Sequence, residues 1–222
     1  MDMDDVRRKA ARATPVTFTI LGICILLFLI GYLDGREDQL QRAFAQTNGR
    51  IAQNGEWWRL VTSMFLHGGF PHVAFNMYAL YLFGPPLERE VGSPPFAAMY
   101  IASGIAGGAF YYLMGDVLGE AVGASGAIFG LFGAWLVASY RGRHTVQGRA
   151  SLRQLLTLLA INAFIGFVPG LHIAWQAHLG GLIAGGVIAL AWALPSMQQR
   201  AAARTAAAVA VGLVALAAVL VS

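Results

Sequence analysis

Seven stretches of this chain are long and apolar, and they follow one another from residue 16 to residue 221 with polar breaks that are short after the first. They cover approximately 16–33, 71–87, 94–114, 124–140, 152–168, 174–194 and 203–221. About 20 apolar residues in helical form cross the hydrocarbon of a bilayer. Only a helix or a closed barrel can satisfy its own backbone polar groups there. Charged residues make up 12% of the chain, against roughly a quarter in a soluble domain. The expected fold is therefore all-α: a polytopic membrane helix bundle of about seven transmembrane helices, placed in the cell (inner) membrane because its spans are helices and not barrel strands.

The remaining composition excludes more than it suggests. A single cysteine, Cys24, lies inside the first run, which rules out an internal disulfide and a thiolate metal site. The net charge of +4 comes from short basic clusters between apolar runs, so it does not point to nucleic acid. Arg7, Arg8, Lys9 and Arg12 precede the first run as they would in a signal peptide. No small-residue cleavage site follows and more spans do, so that run reads as a retained anchor.

Basic residues also set an orientation. With the amino terminus in the cytoplasm, the inner segments hold 11 of the 15 basic residues, and Arg36, Arg42, Arg50 and Arg59 stay outside. That asymmetry predicts a cytoplasmic amino terminus and, over seven spans, an outer carboxyl terminus. Residues 34–70 form a long mixed connection on the outer side. It turns amphipathic at Trp57-Trp58-Arg59, a pattern that suits the headgroup region or an ordinary loop with buried aromatics.

Polar residues within the runs then acquire a depth. Ser125 lies at the outer start of the fourth run, His178 one turn into the sixth, and His72 and Asn76 in the first turns of the second. Each has a plain structural reading: a serine between glycines packs helices closely, a histidine near a helix end is solvated, and an asparagine bridges helices. Gathered at one leaflet from three spans, they suggest chemistry. His178 would take the Ser125 proton as general base and return it to a leaving amine. His72 and Asn76, four apart on one helix face, would donate to an oxyanion together with backbone N–H groups near Ser125. No acid lies in the spans to orient His178, since Asp116 and Glu120 fall in the preceding loop. A dyad is expected. Gly126 and Gly130, and Gly181 and Gly185, give the two spans matching small faces for a close approach.

Taken together, these residues resemble the rhomboid family of intramembrane serine proteases. The resemblance covers residues 57–186 and rests on Trp58-Arg59, on His72 and Asn76, and on Gly84, Glu88 and Gly92. Gly123-Ala124-Ser125-Gly126, and Ala177-His178 followed by Gly181 and Gly185, complete it. It implies that Ser125 is the nucleophile, His178 the base, and His72 and Asn76 the oxyanion groups, with Arg59 and Glu88 structural. It implies a six-span catalytic core at 16–195, after a cytoplasmic segment 1–15 and before a linker and extra helix at 196–222. It also implies hydrolysis of peptide bonds in or beside transmembrane segments of other membrane proteins, with a small residue favoured at the cleavage point. Neither cofactor nor metal is expected. The partners are membrane-protein substrates and the lipid bilayer.

Two departures stand out. Phe129 sits where some members have a tyrosine stacked on the base, and Pro85-Pro86 should fray the inner end of the second span. The segment 167–171 is a candidate gate, and His172 reads as surface. A non-catalytic client-binding protein of the same fold and a small-solute transporter remain alternatives, although Ser125 and His178 are both present and no internal repeat is evident.

Overall fold

The computed structural model describes residues 13–166, 173–198 and 200–222. The expected gate at 167–171, His172 and most of the basic amino-terminal segment lie outside the described residues. Seven long helices occupy the seven apolar runs: α1 (Pro15–Leu33), α5 (Phe70–Val91), α6 (Ser93–Met114), α7 (Ser125–Arg141), α8 (Val146–Gly166), α9 (Trp175–Trp192) and α10 (Ala201–Leu220). Among the described residues, four are long and apolar enough on their own to cross a membrane: α1, α6, α9 and α10. The other three carry charged ends or, for α7, span only 17 residues. The 34–70 connection is folded, into α2 (Glu37–Phe44), β1 (Gln46–Thr47), α3 (Asn48–Asn54), α4 (Arg59–Thr62) and a 3-10 turn at Ser63–Phe65.

Helices α6, α7 and α9 form the centre of the bundle, where Phe96, Met99, Tyr100, Leu131 and Ile188 are fully enclosed. Missing side chains make this possible. A Cβ at Gly181 would strike the Gly126 carbonyl oxygen, and one at Gly185 the Gly130 carbonyl oxygen. One at Gly107 would lie 2.7 Å from the Ala177 carbonyl oxygen. The three helices therefore meet backbone to backbone, at distances that only glycine permits. Helix α10 docks outside α6, with Gly212 against Ala102 and Val219 in one cluster with Ile51 and Leu60. By contrast, α8 rests chiefly on α7 and buries a single side chain among its described residues, Leu155.

Helix α5 does not fray at its prolines; it continues through Pro85 and Pro86 to Val91. The cause is tertiary. Glu88, 1% exposed, accepts hydrogen bonds from Val16 N (3.0 Å), Thr17 N (2.8 Å), Thr17 Oγ1 (2.7 Å) and Ser93 Oγ (2.6 Å). One carboxylate thus satisfies two orphan N–H groups at the start of α1 and ties α5 to both neighbours. Gly84 allows the approach, since a Cβ there would sit 2.9 Å from Thr17 Cγ2. Gly92 then turns the chain into α6 at φ +89°, a conformation open to glycine.

Candidate active site

The starts of α5, α7 and α9 lie at one end of the bundle, as alternation of the helices requires. Ser125 is the first residue of α7. The first bond of that helix runs from Ile128 N to Ala124 O. The N–H groups of Ser125, Gly126 and Ala127 consequently have no acceptor within the helix. Gly123, at φ +126°, turns the chain into this helix, and its N–H donates to Ser63 O at 2.9 Å.

His178 stands one turn into α9. Its Nε2 lies 2.9 Å from Ser125 Oγ. The Phe129 ring, one turn along α7, stacks on the imidazole with centroids 4.2 Å apart and planes 8° from parallel. The phenyl thus holds the imidazole plane by packing alone. No carboxylate bonds to His178 among the described residues, where its hydrogen-bond partner is Ser125. An Nε2 that accepts the serine proton requires the ring proton on Nδ1.

His72 occupies the first turn of α5 and, like Ser125, borders Gly123. A Cβ on Gly123 would come within 2.7 Å of His72 Nε2 and 3.8 Å of Ser125 Oγ. Glycine at 123 therefore keeps the space between these two groups open. The Gly68 N–H points at His72 Nδ1 at 3.4 Å. A ring nitrogen that accepts leaves the proton on Nε2, the atom beside Gly123. Asn76, 7% exposed, follows one turn later and donates through Nδ2 to His72 O at 2.9 Å. His67 lies in the connection just before α5. It lies edge-on to His72 with ring centroids 5.2 Å apart, and burial pushes its imidazole down to about 3, so it is uncharged.

The Trp58-Arg59 pair divides. Trp57 and Trp58 are exposed at 44% and 43%, whereas Arg59 is only 2% exposed. Its guanidinium is turned inward and donates to Ala45 O (2.7 Å), Arg42 O (3.2 Å) and the Glu56 carboxylate. The arginine therefore knits the connection together and does not face headgroups. Its hydrogen bond holds the Glu56 carboxyl below the usual carboxylate range.

Sequence reasoning passed over a second set of residues. Gln46 and Thr47 pair antiparallel with Ala121 and Glu120 of β2 (Glu120–Ala121). Asn48, 2% exposed, donates to Asp116 O (2.9 Å) and Tyr111 O (3.3 Å), and its N–H donates to Gly119 O (3.1 Å). The first connection is thereby fastened to the segment that delivers Gly123 and Ser125. Two-residue strands carry no alternation, so no pattern in the chain announced them. No group of three or more potential metal ligands occurs among the described residues.

Comparison with known proteins gives matches to one family. The Rhomboid domain family model matches residues 54–195. YdcA of Bacillus subtilis, named provisionally as a rhomboid protease, is 38% identical over 174 residues, or 78% of this chain and 86% of its own. Rhomboid protease AarA of Providencia stuartii is 32% identical over 86% of this chain and 76% of its own. Rhomboid protease GluP of Bacillus subtilis is 37% identical over 81% of this chain, which spans only 35% of that longer protein.

Proposed function

The chain belongs to the rhomboid family of membrane-embedded proteases, and from that premise we propose that it cleaves peptide bonds of other membrane proteins through a Ser125–His178 dyad. The observation that carries the reading is the 2.9 Å separation of His178 Nε2 from Ser125 Oγ across two helices. As Oγ bonds to the substrate carbonyl carbon, its proton passes to Nε2. The carbonyl electron pair becomes an oxyanion, met by His72 Nε2–H and the unpaired N–H groups of the first turn of α7. Asn76 lies beside them with a second amide hydrogen to give.

Collapse of the tetrahedral centre expels the amine, which takes the proton from His178. Water activated by the same imidazole then releases the acyl group. No carboxylate step is needed, because Phe129 stacking and the short contact to Ser125 orient the ring. The excess of basic residues on alternate connections supports a cytoplasmic amino terminus and a site that opens on the outer face. Substrates are transmembrane segments that unwind near that face to expose a carbonyl.

Purified protein in micelles or vesicles is treated with a serine-directed fluorophosphonate, and the adduct is mapped. Labelling at Ser125 is expected, lost in Ser125→Ala and His178→Ala along with cleavage of a transmembrane test substrate. Full cleavage by either variant refutes the dyad, and an inert wild type with folded helices favours a client-binding role.

A further inference from the structure

We propose that the turn joining α7 to α8 is a docking surface for an anionic phospholipid, whose phosphate meets Arg143 and Arg149 while its interfacial carbons rest on Tyr140 and Val146. Nothing in this depends on Ser125 being a nucleophile. The turn follows the last residue of α7, and Ser125 is the first. Seventeen residues of helix put roughly 25 Å between them, close to the hydrocarbon thickness of a bilayer. The turn therefore sits at headgroup level on the membrane face opposite Ser125.

Charge singles this turn out. Arg141, Arg143, Arg149 and Arg153 fall between positions 141 and 153, and residues 121–222 contain no aspartate or glutamate. Among the described residues, ion pairs join Arg36 to Asp34 and Arg59 to Glu56, at the other end of the bundle, and none reaches these four arginines. Two described carboxylates share their end. Glu88 is enclosed by its four donors, and Glu90, exposed near the end of α5, is paired with none of them. Orientation in the membrane asks only that basic residues lie on one face. It does not ask that their guanidinium groups be held in place.

Here two of them are. The Arg143 guanidinium stacks over the Tyr140 ring, 4.2 Å from its centroid, and its Nη1 donates to Tyr140 O at 2.9 Å. Arg149, in the first turn of α8, reaches back through Nη1 to His144 O (3.2 Å) and Arg143 O (3.4 Å). A Cβ on Gly148 would strike the Gly142 carbonyl oxygen, so the start of α8 is pressed onto the end of α7 and both arginines share one small surface. Their bonds to carbonyls occupy one nitrogen of each guanidinium and leave both charges unmatched. A phosphate diester supplies the charge and the oxygens that such a pair of forks accepts. The neighbours favour lipid over a free anion. Tyr140 and Val146 are 56% and 78% exposed beside the arginines, an aromatic and an apolar side chain that suit the interface below a headgroup and that an inorganic ion would not use. A lipid bound here bridges the end of α7 and the start of α8.

The test places the full chain in phosphatidylcholine vesicles that contain a small fraction of photo-crosslinkable phosphatidylglycerol, and maps the adducts. Adducts within 140–153 are expected, displaced by unlabelled phosphatidylglycerol and not by inorganic phosphate. One arginine near an anionic lipid is worth roughly fivefold in binding. Arg143→Gln combined with Arg149→Gln should therefore cut the adduct yield at this turn by roughly 25-fold, whereas Arg36→Gln, at the other end of the bundle, should leave it unchanged. Equal yield from a photo-crosslinkable phosphatidylcholine overturns the proposal, as does displacement by inorganic phosphate. An undiminished yield from the folded double variant overturns it too. Should circular dichroism show that variant unfolded, Arg149→Gln alone, at an exposed position, must lose roughly fivefold, and an unchanged yield there is equally fatal.

Discussion

Replacing Gly181 by alanine should slow the enzyme about a hundredfold while leaving it folded. The added methyl would lie less than 2.5 Å from the Gly126 carbonyl oxygen, on the residue next to Ser125. Carbon and oxygen rest comfortably at about 3.3 Å or more. Helix α9 must then move from α7 by roughly 1 Å near its amino-terminal end, where His178 stands one turn away. Added to the 2.9 Å separation, that shift carries Nε2 beyond hydrogen-bonding reach of Oγ. A misplacement of 1 Å costs on the order of 10²-fold in rate. Gly186 provides the control, because a methyl there meets nothing within 4 Å. Rates of fluorophosphonate labelling and of substrate cleavage would be measured for both variants, with circular dichroism to verify helicity. Unimpaired Gly181→Ala, or equal damage from Gly186→Ala, would refute the argument that these backbones set the Ser125–His178 distance.

Asn76→Ala should lower the cleavage rate by roughly 10²-fold, as for loss of one oxyanion donor, with little change in KM. Glu88→Gln should lower thermal stability by about 2–4 kcal/mol, because the amide cannot accept all four bonds that reach the carboxylate. The folded fraction should still label at Ser125 at the wild-type rate, and a stability equal to wild type would contradict the clasp. His67, held near 3 in the folded protein against 6.5 unfolded, contributes stability that is complete above pH 6.5 and is lost as pH falls towards 3. Between pH 6.5 and pH 5 wild type should lose about 2 kcal/mol that His67→Phe retains, and parallel pH–stability curves would exclude the effect.

The sequence shows the helices because each apolar run must satisfy its backbone within itself. It also shows that Ser125 and His178 belong together, since alternation puts both near the start of a run at one end. Contacts made by folded tertiary structure were not legible. Pro85 and Pro86 look like a break by local rules, and only the clasp around Glu88 overrides them. Arg59 beside two tryptophans looks like an interface residue until its three acceptors are known. Gln46 and Asn48 sit in a connection with no periodicity, and they act through partners some 60 to 70 positions further along the chain. Nothing local could have singled them out.

Where α7 meets α9 at Gly126 and Gly181, and again at Gly130 and Gly185, the surfaces in contact are peptide groups. Such a seam has no rotamers to reshuffle, so heat or pressure finds little slack in it. The bundle is consequently divided into a stiff part and a compliant one. Stiffness belongs to the helices that hold Ser125 and His178 in register. Compliance falls to α8, which buries Leu155 alone among its described residues and packs Leu159 less deeply, so less enclosed apolar surface opposes its movement than opposes separation of the glycine seam.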